Sequence, residues 1–178
     1  MSAEELVSLG LCRELAVIIV SALPIVELRG ALPVAINLFH FPWYYAFPLA
    51  IIGNLLPVPF LLLLLDRLSK TLSRVKLFEK MFNKLFEHAR KRGQLVERYE
   101  KIGLALFVAI PLPVTGAWTG SIAAVLFRLE FKYAFLSILV GILISGAIVT
   151  TLCVLGWIGA AIAGLVLCTL AIIGLWKS

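Results

Sequence analysis

The chain has 178 residues, 62% of them hydrophobic and 15% charged, with a mean hydropathy of +1.06. A soluble domain is about 45–50% apolar and about 25% charged, so these values exclude a soluble globular domain, a disordered tail and a nucleic-acid module, and indicate a single polytopic membrane domain. The formal net charge of +6 is local: residues 66–101 hold 11 of the 16 basic and 5 of the 10 acidic residues, and the rest of the chain is neutral overall.

The first residues carry Glu4 and Glu5 where a secretory signal would be basic, and no cleavage site precedes the first apolar run, so no signal peptide is expected. The apolar segment 15–40 is interrupted near its middle by Pro24, Glu27, Arg29, Gly30 and Pro33. A straight lipid-facing helix fits this poorly. Non-helical backbone at membrane depth persists only where protein or a wet cavity covers it, so two half-helices joined by a covered turn, a re-entrant hairpin, are predicted. A proline-kinked full span is the alternative. Pro42 then introduces the aromatic run Trp43-Tyr44-Tyr45, suited to a membrane interface, and a full span follows over 43–65. Pro57 and Pro59 lie within that span and predict a kink.

The insert 67–101 places Leu68, Leu72, Val75, Phe78, Phe82, Leu85, Phe86 and Ala89 at helical spacing among Lys and Arg, with Gly93 expected to end the helix. It reads as an amphipathic helix on the inner membrane face or as a cap on the bundle. Retention of Lys and Arg in cytoplasmic loops explains its charge better than an RNA-binding loop does, since nucleic-acid binders carry their cations on the working domain. A second broken segment, 102–127, is interrupted by Pro111, Pro113, Gly116 and Gly120 and is again read as a re-entrant hairpin. Tyr133–Trp176 is 44 residues without a formal charge and divides near Gly156 into a span over 132–154 and a C-terminal span over 157–176.

The two halves, 15–66 and 102–155, resemble each other. Gly30-Ala31 matches Gly116-Ala117, Leu38-Phe39 matches Leu126-Phe127, Tyr45-Ala46-Phe47 matches Tyr133-Ala134-Phe135, and Gly53 matches Gly141. With the basic insert inside, the first hairpin opens outward, the second opens inward, the N-terminus lies outside and Lys177 lies in the cytoplasm. The expected architecture is therefore an all-α polytopic membrane protein. It has two inverted-topology repeats, each a re-entrant helical hairpin plus a transmembrane helix, with a cytoplasmic amphipathic helix between them and a transmembrane helix at the C-terminus. Inverted repeats with broken helices at the midplane are a recurring plan of secondary transporters.

Glu27 and Arg29, within Glu27-Leu28-Arg29-Gly30-Ala31-Leu32-Pro33, are the most informative residues. A charge at the bilayer centre costs about 2.5–3.5 kcal/mol on insertion scales. Glu27 is a candidate proton site, because burial favours a neutral carboxyl while a nearby guanidinium favours the ion. Arg29 is a candidate for binding an anionic headgroup or substrate, since its planar fork suits phosphate and carboxylate. Two structural alternatives stand beside these roles: a pair that closes the hairpin tip, and charges that snorkel to the interface. The second tip, Pro111 to Gly120, has no charge but offers Thr115, Gly116, Thr119, Ser121 and the N–H groups of a half-helix starting near residue 120, which would attract an anion. Close packing by its small residues is the alternative. Asn37 and Asn54 are read as interhelical hydrogen-bond partners, and His40 as facing the outer interface. Cys12, Cys153 and Cys168 lack pair spacing, and with only His40 and His88 beside them no metal, redox or other cofactor site is expected.

The motifs ELRGALP (Glu27–Pro33) and PLPVTGAWTG (Pro111–Gly120), with Gly53-Asn54 between them, resemble those of the small multidrug export protein family over about residues 15–155. The second motif has Val114 where that family often has Gly. The family looks distantly related to the DedA-like (VTT) membrane proteins. That relation implies re-entrant loops packed on following spans, acidic and Arg residues in those loops, and proton-dependent movement of small molecules, lipid carriers or phospholipids. Glu27 and Arg29 match that chemistry; the second loop has no Arg.

The expected function is thus a proton-coupled transporter of a prokaryotic cell membrane, exporting small molecules or translocating a lipid-linked or amphipathic substrate. Glu27 would take the proton, and Arg29, Gly30, Thr115, Gly116, Thr119 and Gly120 would line the substrate or anion site, with Pro24, Pro33, Pro111 and Pro113 breaking the helices. A non-transporting membrane factor, a lipid-interacting scaffold or insertase-like groove, is the alternative. An enzyme is disfavoured, since the chain lacks a paired-carboxylate motif, a metal cluster and a Ser/His/Asp set. The expected partners are the lipid bilayer, the substrate and the proton, with no nucleic acid. The glycines of the last span would allow a homodimer.

Overall fold

A computed structural model describes residues 12–72, 93–111, 115–127 and 129–156, together with 158, 159, 161, 164, 165 and 169. Among the described residues all regular structure is helical: α1 (Arg13–Ala22), α2 (Glu27–Pro33), α3 (Trp43–Leu55), α4 (Pro57–Leu72), α5 (Gly93–Ala109), α6 (Ala117–Leu126) and α7 (Phe131–Val154). The core of the expected amphipathic insert, Glu4 and Glu5, and most of the expected C-terminal span lie outside the described residues.

Proline chemistry explains the helix boundaries. Pro24 pushes Leu23 to extended backbone (φ −71°, ψ 140°), and α1 stops at Ala22. Pro33 closes α2, having no N–H to donate. The chain then widens into a π-helical turn over Val34–Leu38, in which the Phe39 N–H reaches back five residues to the Val34 carbonyl at 2.9 Å. Pro42 caps α3, its carbonyl accepting from the N–H groups of Tyr45 and Ala46. Leu56, just before Pro57, separates α3 from α4 and keeps helical angles (φ −55°, ψ −46°).

Among the described residues two segments are long and apolar enough to cross a membrane, Trp43–Leu65 and Phe131–Val154. The second, of 24 residues, is about 36 Å long at a rise of about 1.5 Å per residue, and it is the hub of the bundle. Its buried stripe alternates small and branched residues: Ala134, Ile138, Gly141, Ile142, Ser145, Gly146 and Val149. The small ones let neighbouring backbones approach. Helix α5 presses Ala105 and Val108 on Gly141, where an added Cβ would lie 2.7 Å from the Ala105 carbonyl oxygen and 2.6 Å from the Val108 Cβ. Phe47 and Ile51 of α3 and Leu28 of α2 meet at Gly146.

The same contact occurs in the first half. Gly53 of α3 lies against the Ile18 carbonyl and Ser21 of α1, and the Ser21 hydroxyl donates to the Ala50 carbonyl at 2.6 Å. So α1 packs on α3 as α5 packs on α7, and α2 packs on α7 as α6 packs on α4. A cation sits over an aromatic ring in each half as well: the Arg13 guanidinium is 5.9 Å from the Phe39 ring centroid and the Lys101 ammonium 3.4 Å from that of Tyr133.

The glycine contacts yield the first prediction. Gly53→Ala and Gly141→Ala should each lower unfolding stability in detergent by about 1–3 kcal/mol, the usual range for overpacking, because the obstacles include backbone atoms. Gly103→Ala, where nothing lies within 4 Å, should be neutral or should stabilise by up to about 1 kcal/mol through helix propensity. Denaturant titration of the three variants in one micelle measures the contrast.

Candidate functional site

The two broken segments meet at their tips. Glu27 opens α2 with φ +49°, an unusual conformation for a residue with a side chain and one that costs on the order of 1–3 kcal/mol. Its N–H donates to the Leu23 carbonyl at 3.0 Å. In this position the carboxyl is buried, with only 4% of the side chain exposed, and it reaches away from its own helix toward α6.

Helix α6 has no side-chain cap of its own, since Gly116 occupies the N-cap position. A helix start leaves its first N–H groups unsatisfied and carries partial positive charge. Glu27 fills that role from 91 residues away: its Oε1 accepts from the Trp118 backbone N–H at 3.3 Å. Trp118 also donates from its indole Nε1 to the Ala22 carbonyl at 3.1 Å, which satisfies an end carbonyl of α1. The other carboxylate oxygen of Glu27 accepts from Arg29 Nη2 at 3.0 Å. The Arg29 side chain is 19% exposed, so its guanidinium lies at the margin of the buried site.

Gly116 is what makes the docking fit. It has φ +153°, and an added Cβ would run into Glu27 Oε2 and sit 2.6 Å from Arg29 Nη2. The space a cap side chain would occupy therefore holds the carboxylate and guanidinium of the other tip.

The structure brings Glu27, Arg29 and Gly116 into contact, with Thr115 and Thr119 beside them. The Thr115 hydroxyl donates to the Ile110 carbonyl at 2.5 Å, tying its own loop, and the Thr119 hydroxyl lies 3.4 Å from the Gly116 carbonyl. Gly30 and Gly120 serve packing: an added Cβ at Gly30 would meet Val26, and one at Gly120 would meet Val108 Cγ2 at 2.5 Å. Ser121 is buried and bonds the Ala117 carbonyl within its own helix. Pro24 and Pro33 end or distort helices as expected, Pro111 follows the end of α5, and Pro113 lies outside the described residues. Helix α6 starts at Ala117, three residues earlier than expected near 120, which is why its N-terminus reaches Glu27.

Two residues depart from the sequence reading or were missing from it. Trp118 carries no role in the sequence reading, although an indole beside an uncapped glycine-led helix start is a visible signal. Asn54 is buried at 1% exposure, and its amide has no hydrogen-bond partner among the described residues, so the expected interhelical bond is not made there. Among the described residues no three His, Cys, Asp or Glu side chains gather in a way that could hold a metal ion.

The geometry predicts a specific coupling. Glu27→Ala removes the α6 cap and leaves Arg29 unpaired, and should cost about 1–3 kcal/mol. Arg29→Ala should cost less, and adding it to Glu27→Ala should restore part of the loss. A double-mutant cycle by denaturant unfolding reads this non-additivity.

No curated protein and no solved structure matches the chain. A family model does: the one described as "Putative small multi-drug export protein" matches residues 27–148, from the carboxylate of the first tip through both tips and into α7. The chain belongs to that family.

Proposed function

We propose that the protein is a proton-coupled membrane exporter in which the Glu27 carboxylate is the proton site and also the bond that holds the two tips together. The carrying observation is the contact of Glu27 with both Arg29 and the α6 N-terminus. With Glu27 ionised, both attractions act and the tips are closed. Protonation removes the charge that Arg29 and the helix terminus hold. The tips then part, and Arg29 turns its donors to an anionic or polar group of a small amphipathic substrate. Proton binding to Glu27 and binding of that group thus act on the same equilibrium between closed and open tips, which links the two events.

Helix lengths support re-entrant hairpins. Helices α1 and α6 have 10 residues each, or about 15 Å, half of a hydrocarbon core of about 30 Å. The matched contacts support an inverted repeat: Gly53 on Ile18 and Ser21 corresponds to Gly141 on Ala105 and Val108, and Arg13 and Lys101 occupy corresponding positions before their hairpins. With the basic insert in the cytoplasm, the first hairpin enters from outside and the second from inside, and the site lies where they meet. The family's description names drug export, and we extend it to a lipid-linked or other amphipathic substrate because Arg29 suits a phosphate or carboxylate headgroup.

The test is transport by purified protein in liposomes under an imposed pH gradient, read with internal pyranine for protons and with ethidium and carboxyfluorescein as cationic and anionic cargo. Wild-type protein should dissipate the gradient faster when cargo is present. Glu27→Gln, checked for a folded micellar state, should reduce coupled flux to the level of empty vesicles. Full pH-driven flux in Glu27→Gln would remove the proton role. No flux in the wild type would favour a non-transporting scaffold.

A further inference from the structure

Asn54 stands apart from the tip site. It is 1% exposed, and both atoms of its amide lack hydrogen-bond partners among the described residues. An amide presents two donors and two acceptor lone pairs, and leaving these unmet inside a membrane protein is costly. The Thr150 hydroxyl is also without a partner, but it needs only a rotation toward the carbonyl four residues back, the bond that Thr151 makes to Ala147. No single helical carbonyl satisfies an asparagine amide.

Its place in the fold is defined. Phe47, Ile51, Asn54 and Val58 follow one another at spacings of four, three and four, a single face of α3 and α4. Phe47 and Ile51 meet Gly146 of α7 together with Leu28, so this face looks into the seam where α2, α3 and α7 join. Asn54 is one turn from Ile51, and Leu28 adjoins Glu27. The Gly53–Gly141 match places Ile142 opposite Asn54 in the other half, and Ile142 is fully buried.

We infer that Asn54 is a binding site for a resident water molecule in the seam between α2, α3 and α7. Water is the small neutral group that both donates and accepts, and a buried water typically makes two to four hydrogen bonds to otherwise unsatisfied groups. The site does not depend on the transport reading, and its test reads binding and stability instead of flux.

The first arm is an experimental structure of the wild-type protein in lipid nanodiscs at a resolution that shows ordered water. Density at about 2.7–3.2 Å from Asn54 Oδ1 or Nδ2 is expected. A dry contact, or an amide bonded to protein groups, overturns the inference. The second arm is Asn54→Leu in detergent. Removing amide and water together should leave the unfolding midpoint unchanged or raised, whereas a drop of several degrees would mean that the amide holds a protein partner and would also overturn it.

Discussion

The bond between the Glu27 carboxylate and the N-terminus of α6 is the constraint around which the rest is arranged. It joins the two broken segments where the second has a helix start to satisfy and the first a buried carboxylate to place. The first tip supplies a carboxylate held outward by an unusual φ, and the second supplies an uncapped helix start with no side chain in the way. Trp118 completes the joint by serving the end of α1. Two incomplete helix ends, the start of α6 and the end of α1, are thus satisfied by side chains from across the joint.

A buried ion pair is weak evidence for stability in general, because desolvation offsets attraction. Here the carboxylate has a second partner in the helix terminus, which offsets part of that cost. The packing around it is stiffer. Gly53 and Gly141 fix α1 on α3 and α5 on α7 through contacts that include backbone, so each arm is anchored to its own span while the tips are held by side chains.

Much of this was legible in the sequence. Prolines and glycines marked the breaks, and Pro24, Pro33 and Pro42 stand at helix boundaries because each lacks an N–H and restricts its neighbour. The uncharged runs marked Trp43–Leu65 and Phe131–Val154. Glu27 and Arg29 stood out because charge in an apolar run is expensive. The identity of Glu27's second partner was not legible, since it lies 91 residues away and depends on how the tips meet in space. The anion expected at the second tip is the protein's own carboxylate. Nor could the sequence tell that Asn54 would be buried without a partner, because an amide in a span usually finds one.

The most direct test of the central claim is the distance between the tips. Spin labels at Ile25 and Ile110, both exposed positions on opposite tips, report that distance by pulsed electron resonance in a background without native cysteines. One short distance is expected at alkaline pH, and a longer or broader distribution both at acidic pH and in Glu27→Gln at any pH. An unchanged distance in Glu27→Gln and across pH would contradict it.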